Sequence, residues 1–170
     1  MIELGLLTGK RFVLDLGCGN GMDSDFFKGI GYEVTSVDSN TAYKGAIKAD
    51  IKDFNIETGK YGVIICNNVL PFITDREVVK EIIIRISKGL ADKGVAALSV
   101  FGQKDDWTSK KNMSFFAPEE ISAYLDSIGV NVIEKVVTEG YGKTMNGEVK
   151  YWEVIRFLFS KQSISLTPHP

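Results

Sequence analysis

Three glycines at alternate positions form the stretch of this sequence whose residue types and spacing are best suited to hold a ligand. Gly17, Gly19 and Gly21 follow directly after an apolar run at residues 12–16. Glycine adopts positive φ angles at little steric cost, so a tight turn is expected here. Because these residues have no Cβ atom, a ligand can lie directly against the backbone. The pattern predicts a binding loop between a strand and a helix, and the alternative is a turn that binds nothing.

The spacing of the glycines separates the ligands that such loops bind. A dinucleotide loop has the pattern G-x-G-x-x-G, but Met22 stands where the third glycine would be. A phosphate-binding loop ends in Gly-Lys-Ser or Gly-Lys-Thr, which is missing here. The pattern Asp15-x-Gly17-x-Gly19-x-Gly21 resembles motif I of the class I S-adenosylmethionine (SAM) methyltransferases. The acid fits a ligand that carries an ammonium group and a sulfonium and has no phosphate.

A second acid lies where the ribose of such a ligand is expected. The alternating run at residues 32–38 reads as a strand and ends in Asp38, about 20 residues after the glycine loop. Ligands of parallel sheets collect beyond the carboxyl ends of the strands. We therefore expect Asp38 to accept hydrogen bonds from ribose hydroxyls, although an Asp at a strand end also caps turns.

Polar residues at two further strand ends complete the predicted site. The apolar run at residues 61–66 predicts a central parallel strand that is buried on both faces, and two asparagines follow it. They either contact the cofactor or the acceptor, or cap the strand. The resemblance implies that Asp50 reaches the adenine amino group beside Ile51, and a surface position for Asp50 is equally open. The predicted cofactor-binding residues are Asp15, Gly17, Cys18, Gly19, Asn20, Gly21, Asp38, Ser39, Asp50, Ile51, Asn67 and Asn68.

The elements that must position these residues alternate between strands and helices. Helices are predicted at residues 20–29, 74–90 and 118–128, and strands at 12–16, 32–38, 47–49, 61–66, 94–101, 130–138 and 149–159. The tight link after Asp38 predicts a shortened helix at residues 40–46, or else a third strand that is short and peripheral. Asn146-Gly147 is a hairpin turn signal between the last two strands. The fold class is α/β, with a Rossmann-like, seven-stranded, mostly parallel sheet, helices on both faces and a C-terminal antiparallel hairpin. Residues 1–160 form one methyltransferase domain and 161–170 a flexible tail.

Three local patterns predict packing around the sheet. Met22, Phe26, Phe27 and Ile30 recur at helical spacing and are expected to pack on the sheet. Residues 74–77 form a capping box that opens the long helix. The polar loop at 102–116 is long enough to be a functional loop over the site. Its residues Trp107, Phe115 and Phe116 are expected to form one wall of a substrate pocket, and core packing is an equal alternative for the two phenylalanines.

The resemblance to the class I SAM methyltransferases extends over residues 11–161. Within that class, residues 31–40, 115–120 and 146–159 are similar to the tellurite-resistance (TehB-like) methyltransferases. The resemblance implies an enzyme that transfers the SAM methyl group to a small-molecule acceptor. Only about ten residues precede the first strand, fewer than this family usually has, so we expect an open pocket or one that a homodimer or a partner chain covers. The alternatives are a non-catalytic SAM-binding subunit and an NAD-type oxidoreductase.

Composition limits the partners and the chemistry. The chain has 170 residues and a net charge of −2, which predicts one domain with no general affinity for nucleic acid or membranes. Cys18 and Cys66 are expected to be buried free thiols in the cytoplasm.

The sole histidine, His169, gives no basis for a metal site or a catalytic pair. Because a thiolate, selenide or telluride acceptor needs no base, we predict no catalytic residue; the base for an oxygen or nitrogen acceptor would come from Asp105, Asp106 or Tyr141.

Overall fold

A mixed sheet of eight strands runs through the computed structural model, which describes residues 11–161. The strands are β1 (Phe12–Leu16), β2 (Glu33–Asp38), β3 (Ile47–Lys48), β4 (Tyr61–Cys66), β5 (Leu90–Gly102), β6 (Phe115–Phe116), β7 (Asn131–Lys143) and β8 (Val149–Ser160). The helices are α1 (Met22–Gly29), α2 (Arg76–Gly89) and α3 (Pro118–Ser127). No helix in this described part of the chain is long and apolar enough to cross a membrane.

The order of the strands confirms the predicted fold class. It is β3-β2-β1-β4-β5-β8-β7, with β6 as a short additional partner of β5. All pairs from β3 to β5 are parallel, and β8 lies antiparallel between β5 and β7. The chain winds in one direction from β1 to β3 and in the other from β4 onwards. The crevice at this reversal, beyond the carboxyl ends of β1 and β4, is where open α/β sheets bind their ligands.

Alternating residues of the central strands pack against helices on opposite faces. Leu14 of β1 and Ile64 of β4 belong to the larger core cluster, which also contains the apolar residues of α2 and α3. Their neighbours Val13 and Val63 point to the other face and pack with Phe27 of α1. This alternation is the two-residue period of a strand that is covered on both sides.

The prediction for the apolar stripe of α1 is wrong for three of its four residues. Phe27 is buried, but Met22, Phe26 and Ile30 are 71%, 49% and 42% exposed. These three residues are four positions apart, so they share one face of the helix. That face points away from the sheet, because the inner face is taken by Phe27 and by the buried Ser24.

The connection between β2 and β3 contains no helix, contrary to the first of the two alternatives predicted for residues 40–46. Its backbone forms bends and turns, and β3 is a two-residue strand at the edge of the sheet. The loop is held instead by contacts with the glycine loop: the Thr41 hydroxyl donates to the carbonyl of Gly19, and Tyr43 packs over Gly21. These contacts replace the hydrogen bonds that a short helix would have made.

Several predicted boundaries shift by a few residues. The capping residue of α2 is Asp75, one position after the Thr74 that the capping box indicates, and its carboxylate accepts from the backbone N–H of Glu77 at 2.9 Å. Strand β5 begins at Leu90 instead of residue 94, and β7 continues to Lys143. The turn at Asn146-Gly147 is confirmed, with Gly147 at φ 85°. Of the tail predicted at 161–170, all but Lys161 lies outside the described residues.

A buried ion pair fixes the loop between β5 and β6 to the start of β8. Lys150 donates to Asp105, and both side chains are almost fully buried. Asp105 also accepts from the backbone N–H groups of Trp107 and Glu153, at 2.9 and 3.2 Å. The Lys150 ammonium lies 3.7 Å from the ring centroid of Trp152. The loop is therefore anchored by charge, hydrogen bonds and a cation–π contact together.

Substitution of Lys150 by methionine is expected to lower the free energy of unfolding by about 3 kcal/mol, because Asp105 would stay buried without its counter-charge. Adding Asp105→Asn should restore part of that loss. Denaturant unfolding of the single and double variants measures both effects, with Lys143→Met as the control for loss of an exposed lysine. A loss below about 1 kcal/mol in Lys150→Met would show that the pair does not anchor the loop.

Candidate functional site

The glycine loop needs its glycines for two separate reasons. Gly17, Gly19 and Gly21 all have positive φ angles, of 74°, 51° and 82°. A Cβ atom at Gly17 would lie 2.1 Å from Val69, and one at Gly21 would lie 2.2 Å from the ring of Tyr43. A Cβ atom at Gly19 would meet nothing within 4 Å. The outer two glycines thus allow close packing, while the middle one leaves bare backbone facing open space.

Asp38 is fixed in place by the glycine loop and by the loop that follows β2. One carboxylate oxygen accepts from the backbone N–H of Gly19 at 2.9 Å, and the other accepts from that of Asn40 at 2.8 Å. Each oxygen has lone pairs left for further donors. Parallel pairing of β1 with β2 brings these residues together across 19 positions of sequence.

A cavity of about 660 Å³ lies beyond the carboxyl ends of β1, β2 and β4, and we call it the glycine-loop cavity. Its volume is within the range of small-molecule sites. Predicted residues line one side of it and residues after β4 line the other. The lining is Gly17, Gly19, Asp38, Ser39, Asp50, Ile51, Lys52, Asn68, Val69, Phe72, Ile73, Thr74, Asp75 and Val78.

Asp50 lies in this cavity as an ion pair with Lys52. The two charged groups are 3.1 Å apart, and the carboxylate also accepts from the backbone N–H of Lys52 at 2.9 Å. Partial burial acts to raise the pKa of Asp50, but these contacts with Lys52 outweigh it and the pKa is lowered. Asp50 is therefore an anion at neutral pH and can accept hydrogen bonds.

A second cavity, of about 790 Å³, adjoins the first and is lined by aromatic residues. We call it the aromatic cavity. The loop after β5, both strands of the hairpin and the turn between them contribute to it. Its lining is Asn68, Phe72, Phe101, Trp107, Lys110, Thr138, Glu139, Gly140, Tyr141, Thr144, Met145, Asn146, Glu148, Trp152, Val154 and Arg156. Trp107 thus lines a pocket, as predicted. Phe116 lies in the main core and Phe115 packs against a smaller core cluster, which is the alternative predicted for both.

Asn68 and Phe72 line both cavities and so mark the border between them. Asn68 has a φ angle of 57°, which is uncommon for a residue other than glycine. Its backbone N–H donates to the hydroxyl of Ser99 at 2.7 Å, and this hydroxyl lies 3.3 Å from the Asn68 side-chain oxygen. These contacts hold a strained residue at the border, an arrangement that is typical of functional sites.

Five predicted residues belong to the lining of neither cavity: Asp15, Cys18, Asn20, Gly21 and Asn67. Asp15 is only 3% exposed, and the hydroxyl of Ser24 donates to it at 2.6 Å. Asn20 accepts from the backbone N–H of Met22 at 3.3 Å, next to the start of α1. Cys18 and Cys66 are free and buried, as expected, and burial raises the pKa of Cys18 to about 11. Cys18 is therefore a neutral thiol.

Apart from Lys52, the lining residues of the glycine-loop cavity that sequence reasoning missed follow β4. Val69, Phe72 and Val78 line the glycine-loop cavity together with the start of α2, yet no motif marks them. The available signal was their position, because they follow Asn68 directly at the carboxyl end of a central strand. The residues of the aromatic cavity, except Asn68, Trp107 and Tyr141, carry no such signal.

These features define a class I SAM-dependent methyltransferase: a reversal of strand order, a glycine loop there, and an acid at the end of the next strand. Residues 5–134 match the family model described as a methyltransferase domain, and the chain belongs to this family. No curated protein matches the sequence significantly.

Solved structures with the same fold include TehB from Haemophilus influenzae, with a TM-score of 0.75 and 22% identity. The similarity covers 95% of this chain but only 61% of that one. A SAM-dependent methyltransferase from Clostridium acetobutylicum has a TM-score of 0.68 at 17% identity, over 95% and 89% of the two chains. The 1,6-didemethyltoxoflavin-N1-methyltransferase of Burkholderia thailandensis, which was solved with S-adenosylhomocysteine, has a TM-score of 0.65 at 16% identity. That similarity covers 94% of this chain and 74% of the other.

The buried carboxyl of Asp15 leads to a prediction about stability and pH. Burial raises its pKa, and the hydrogen bond from Ser24 opposes this only in part. The folded protein therefore binds this proton more readily than the unfolded chain, and ionised Asp15 costs stability at neutral pH. That cost disappears as the pH falls through the raised pKa towards the unfolded value of about 3.9.

We expect Asp15→Asn to raise the melting temperature at pH 7, since an amide keeps the acceptor for Ser24 without the buried charge. The gain should shrink as the pH falls towards about 4, where the wild-type carboxyl is also neutral. Thermal unfolding across this range is the measurement, with the exposed Asp92→Asn as control. A lower melting temperature of Asp15→Asn at pH 7 would contradict the prediction.

Proposed function

We propose that this chain methylates a small-molecule nucleophile, in particular a soft sulfur, selenium or tellurium anion, that binds in the aromatic cavity. The observation that carries the proposal is the common border of the two cavities at Asn68 and Phe72. A cofactor on one side of that border and an acceptor on the other would meet there, as in-line displacement requires. The resemblance to the tellurite-resistance methyltransferases favours a soft acceptor.

The residues of the glycine-loop cavity fit SAM. Gly19 offers bare backbone with open space where a Cβ atom would be, against which the methionine part would lie. Asp38 retains lone pairs on both oxygens for the two ribose hydroxyls. Asp50 would accept from the adenine amino group, and Ile51 would lie beside the ring. Asp15 acts through Ser24 as a positioning residue, because it is hydrogen-bonded to the helix that follows the loop.

When bound, SAM supplies a methyl group on a sulfonium, which is already a good leaving group. The chain would hold the two reactants in line and keep water out. The acceptor's lone pair forms the new bond to the methyl carbon as the carbon–sulfonium bond breaks. With an anionic acceptor no proton has to be moved, so the chain needs no general base.

Two of the three candidate bases for a protonated acceptor are committed to other contacts. Asp105 is paired with the buried Lys150, and Asp106 accepts from the backbone N–H of Tyr151 at 2.7 Å. Tyr141 is 79% exposed. Residues 11–161 contain no histidine. An acceptor that ionises by itself at neutral pH is therefore the one this site suits.

Replacing Asp38 by alanine is expected to weaken SAM binding by about 10- to 100-fold. Hydrogen bonds to charged groups contribute about 1.5–3 kcal/mol, and 1.4 kcal/mol is a factor of ten in affinity. Titration calorimetry measures the change, with Asp38→Asn as the milder variant and Asp92→Ala as the control. Because Asp38 also fixes Gly19, the melting temperature of each variant is measured too. Unchanged SAM affinity in folded Asp38→Ala would exclude Asp38 as a ribose ligand.

The absence of a base predicts how the rate depends on pH. For a series of thiols, kcat/KM should rise with pH and level off at the pKa of each thiol, so that the profile moves with the acceptor. A profile with one fixed inflection for all thiols would indicate a protein base and contradict the proposal. SAM binding without transfer to any thiol, selenol or telluride would instead favour a non-catalytic SAM-binding subunit.

A further inference from the structure

We propose that the aromatic cavity selects an acceptor with an aromatic ring and an acidic group, and that Arg156 binds the acid. This inference rests on the proposed function, since it names the class of acceptor for the same site. It is carried by the ring contacts of the cavity and by the distribution of charges around it.

A continuous series of rings leads from the border into the cavity. Phe72 is 56% exposed at the border, and its ring centroid lies 6.2 Å from that of Phe101. The ring centroid of Phe101 lies 5.5 Å from that of Trp152, and the centroid of Trp152 lies 5.2 Å from that of Trp107. Rings at these distances form a wall that favours another aromatic ring in edge or offset contact. An aromatic acceptor is therefore better suited to this cavity than an aliphatic or inorganic one.

The cations in the lining lack acidic partners. Arg156 donates to the hydroxyl of Thr138 at 3.0 Å, and Lys110 lies 3.8 Å from the ring centroid of Trp107. Among the residues that the structure describes, no carboxylate forms an ion pair with either of them. A guanidinium in this state offers a planar pair of donors that matches a carboxylate.

The lining holds two acids beside these two cations, and one of the acids has a cation of its own. Glu139 is paired with Lys104 at 2.7 Å and accepts from the hydroxyl of Tyr151 at 3.0 Å. Glu148 is exposed in the hairpin turn, at the rim of the cavity. Lys110 and Lys150 already lie over the tryptophan rings. A cationic acceptor would find those ring faces taken and would be repelled, whereas an anionic acceptor would be attracted.

The position of Arg156 relates the acid to the reacting atom. Arg156 pairs with Ser99 across β8 and β5, and Ser99 contacts Asn68 at the border. The guanidinium itself reaches the other neighbour of β8, where it donates to Thr138 of β7. An acid and a nucleophile on one aromatic ring, as in 2-mercaptobenzoate, are the simplest probe of this arrangement.

Binding of three thiols to the protein loaded with S-adenosylhomocysteine tests the inference without turnover. The probes are 2-mercaptobenzoate, benzenethiol without an acid, and 4-(aminomethyl)benzenethiol with a cation. Calorimetry gives affinities, and quenching of tryptophan fluorescence reports the location, because both tryptophans of the sequence line this cavity. We expect 2-mercaptobenzoate to bind most tightly and the cationic thiol least. Equal affinities, or a preference for the cation, would overturn the inference.

Arg156→Gln should weaken binding of 2-mercaptobenzoate about tenfold or more and leave benzenethiol unchanged, since only the acid loses a partner. Arg156→Lys should restore part of the loss. Lys135→Gln removes an exposed charge from the neighbouring strand β7, outside both cavity linings, and should have no effect. As a second measurement, Tyr141→Ala should weaken both thiols and Tyr141→Phe neither. A loss in Arg156→Gln that is the same for both thiols would overturn the role of Arg156.

Methylation assays separate this inference from the proposed function. If benzenethiol is methylated but a carboxylate gives no advantage in binding, the acceptor class is wrong and the proposed function stands. If no thiol is methylated but 2-mercaptobenzoate binds in an Arg156-dependent way, the binding site stands and the proposed reaction is wrong.

Discussion

The hydrogen bonds that join the glycine loop to the end of β2 determine where the rest of the site lies. The backbone N–H groups of Gly17 and Cys18 both donate to the carbonyl of Val37, at 2.7 and 3.1 Å, and that of Gly19 donates to Asp38. Three successive donors converge on one strand end, and the positive φ angles of the two glycines shape the loop that allows it. Because the loop is held before a ligand binds, less ordering has to accompany binding.

The helix that follows this loop shows a limit of hydrophobic periodicity. The inner face of α1 lies over the buried carboxylate of Asp15, so it carries the small polar Ser24 there and has Phe27 as its buried aromatic residue. Met22 and Phe26 consequently lie on the outer face, although their spacing is that of a core stripe. Spacing identifies residues that share a face, but the direction of that face depends on what lies beneath the helix.

Strands and strand ends could be predicted from the sequence because they depend on local patterns. The apolar runs of β1 and β4, the acid that ends β2 and the turn at Gly147 all occur where expected. The connection between β2 and β3 could not be predicted, because Tyr43 packs over Gly21 of the glycine loop instead of taking part in a helix. A contact between distant segments overrides a weak helical preference.

The two cavities differ in how they are built, and this explains why sequence reasoning identified much of the first and little of the second. The glycine-loop cavity is made largely by short segments that follow parallel strands, and backbone groups and a few acids define it, so a motif can represent it. The aromatic cavity depends on the register of β5, β7 and β8, which brings Phe101 beside Val154 and Val154 beside Thr138. Side chains on alternate positions of β8 face it and can change without altering the strands. A chain of this kind can therefore keep its glycine-loop cavity and its fold while the lining of the aromatic cavity changes at a few residues that no motif records.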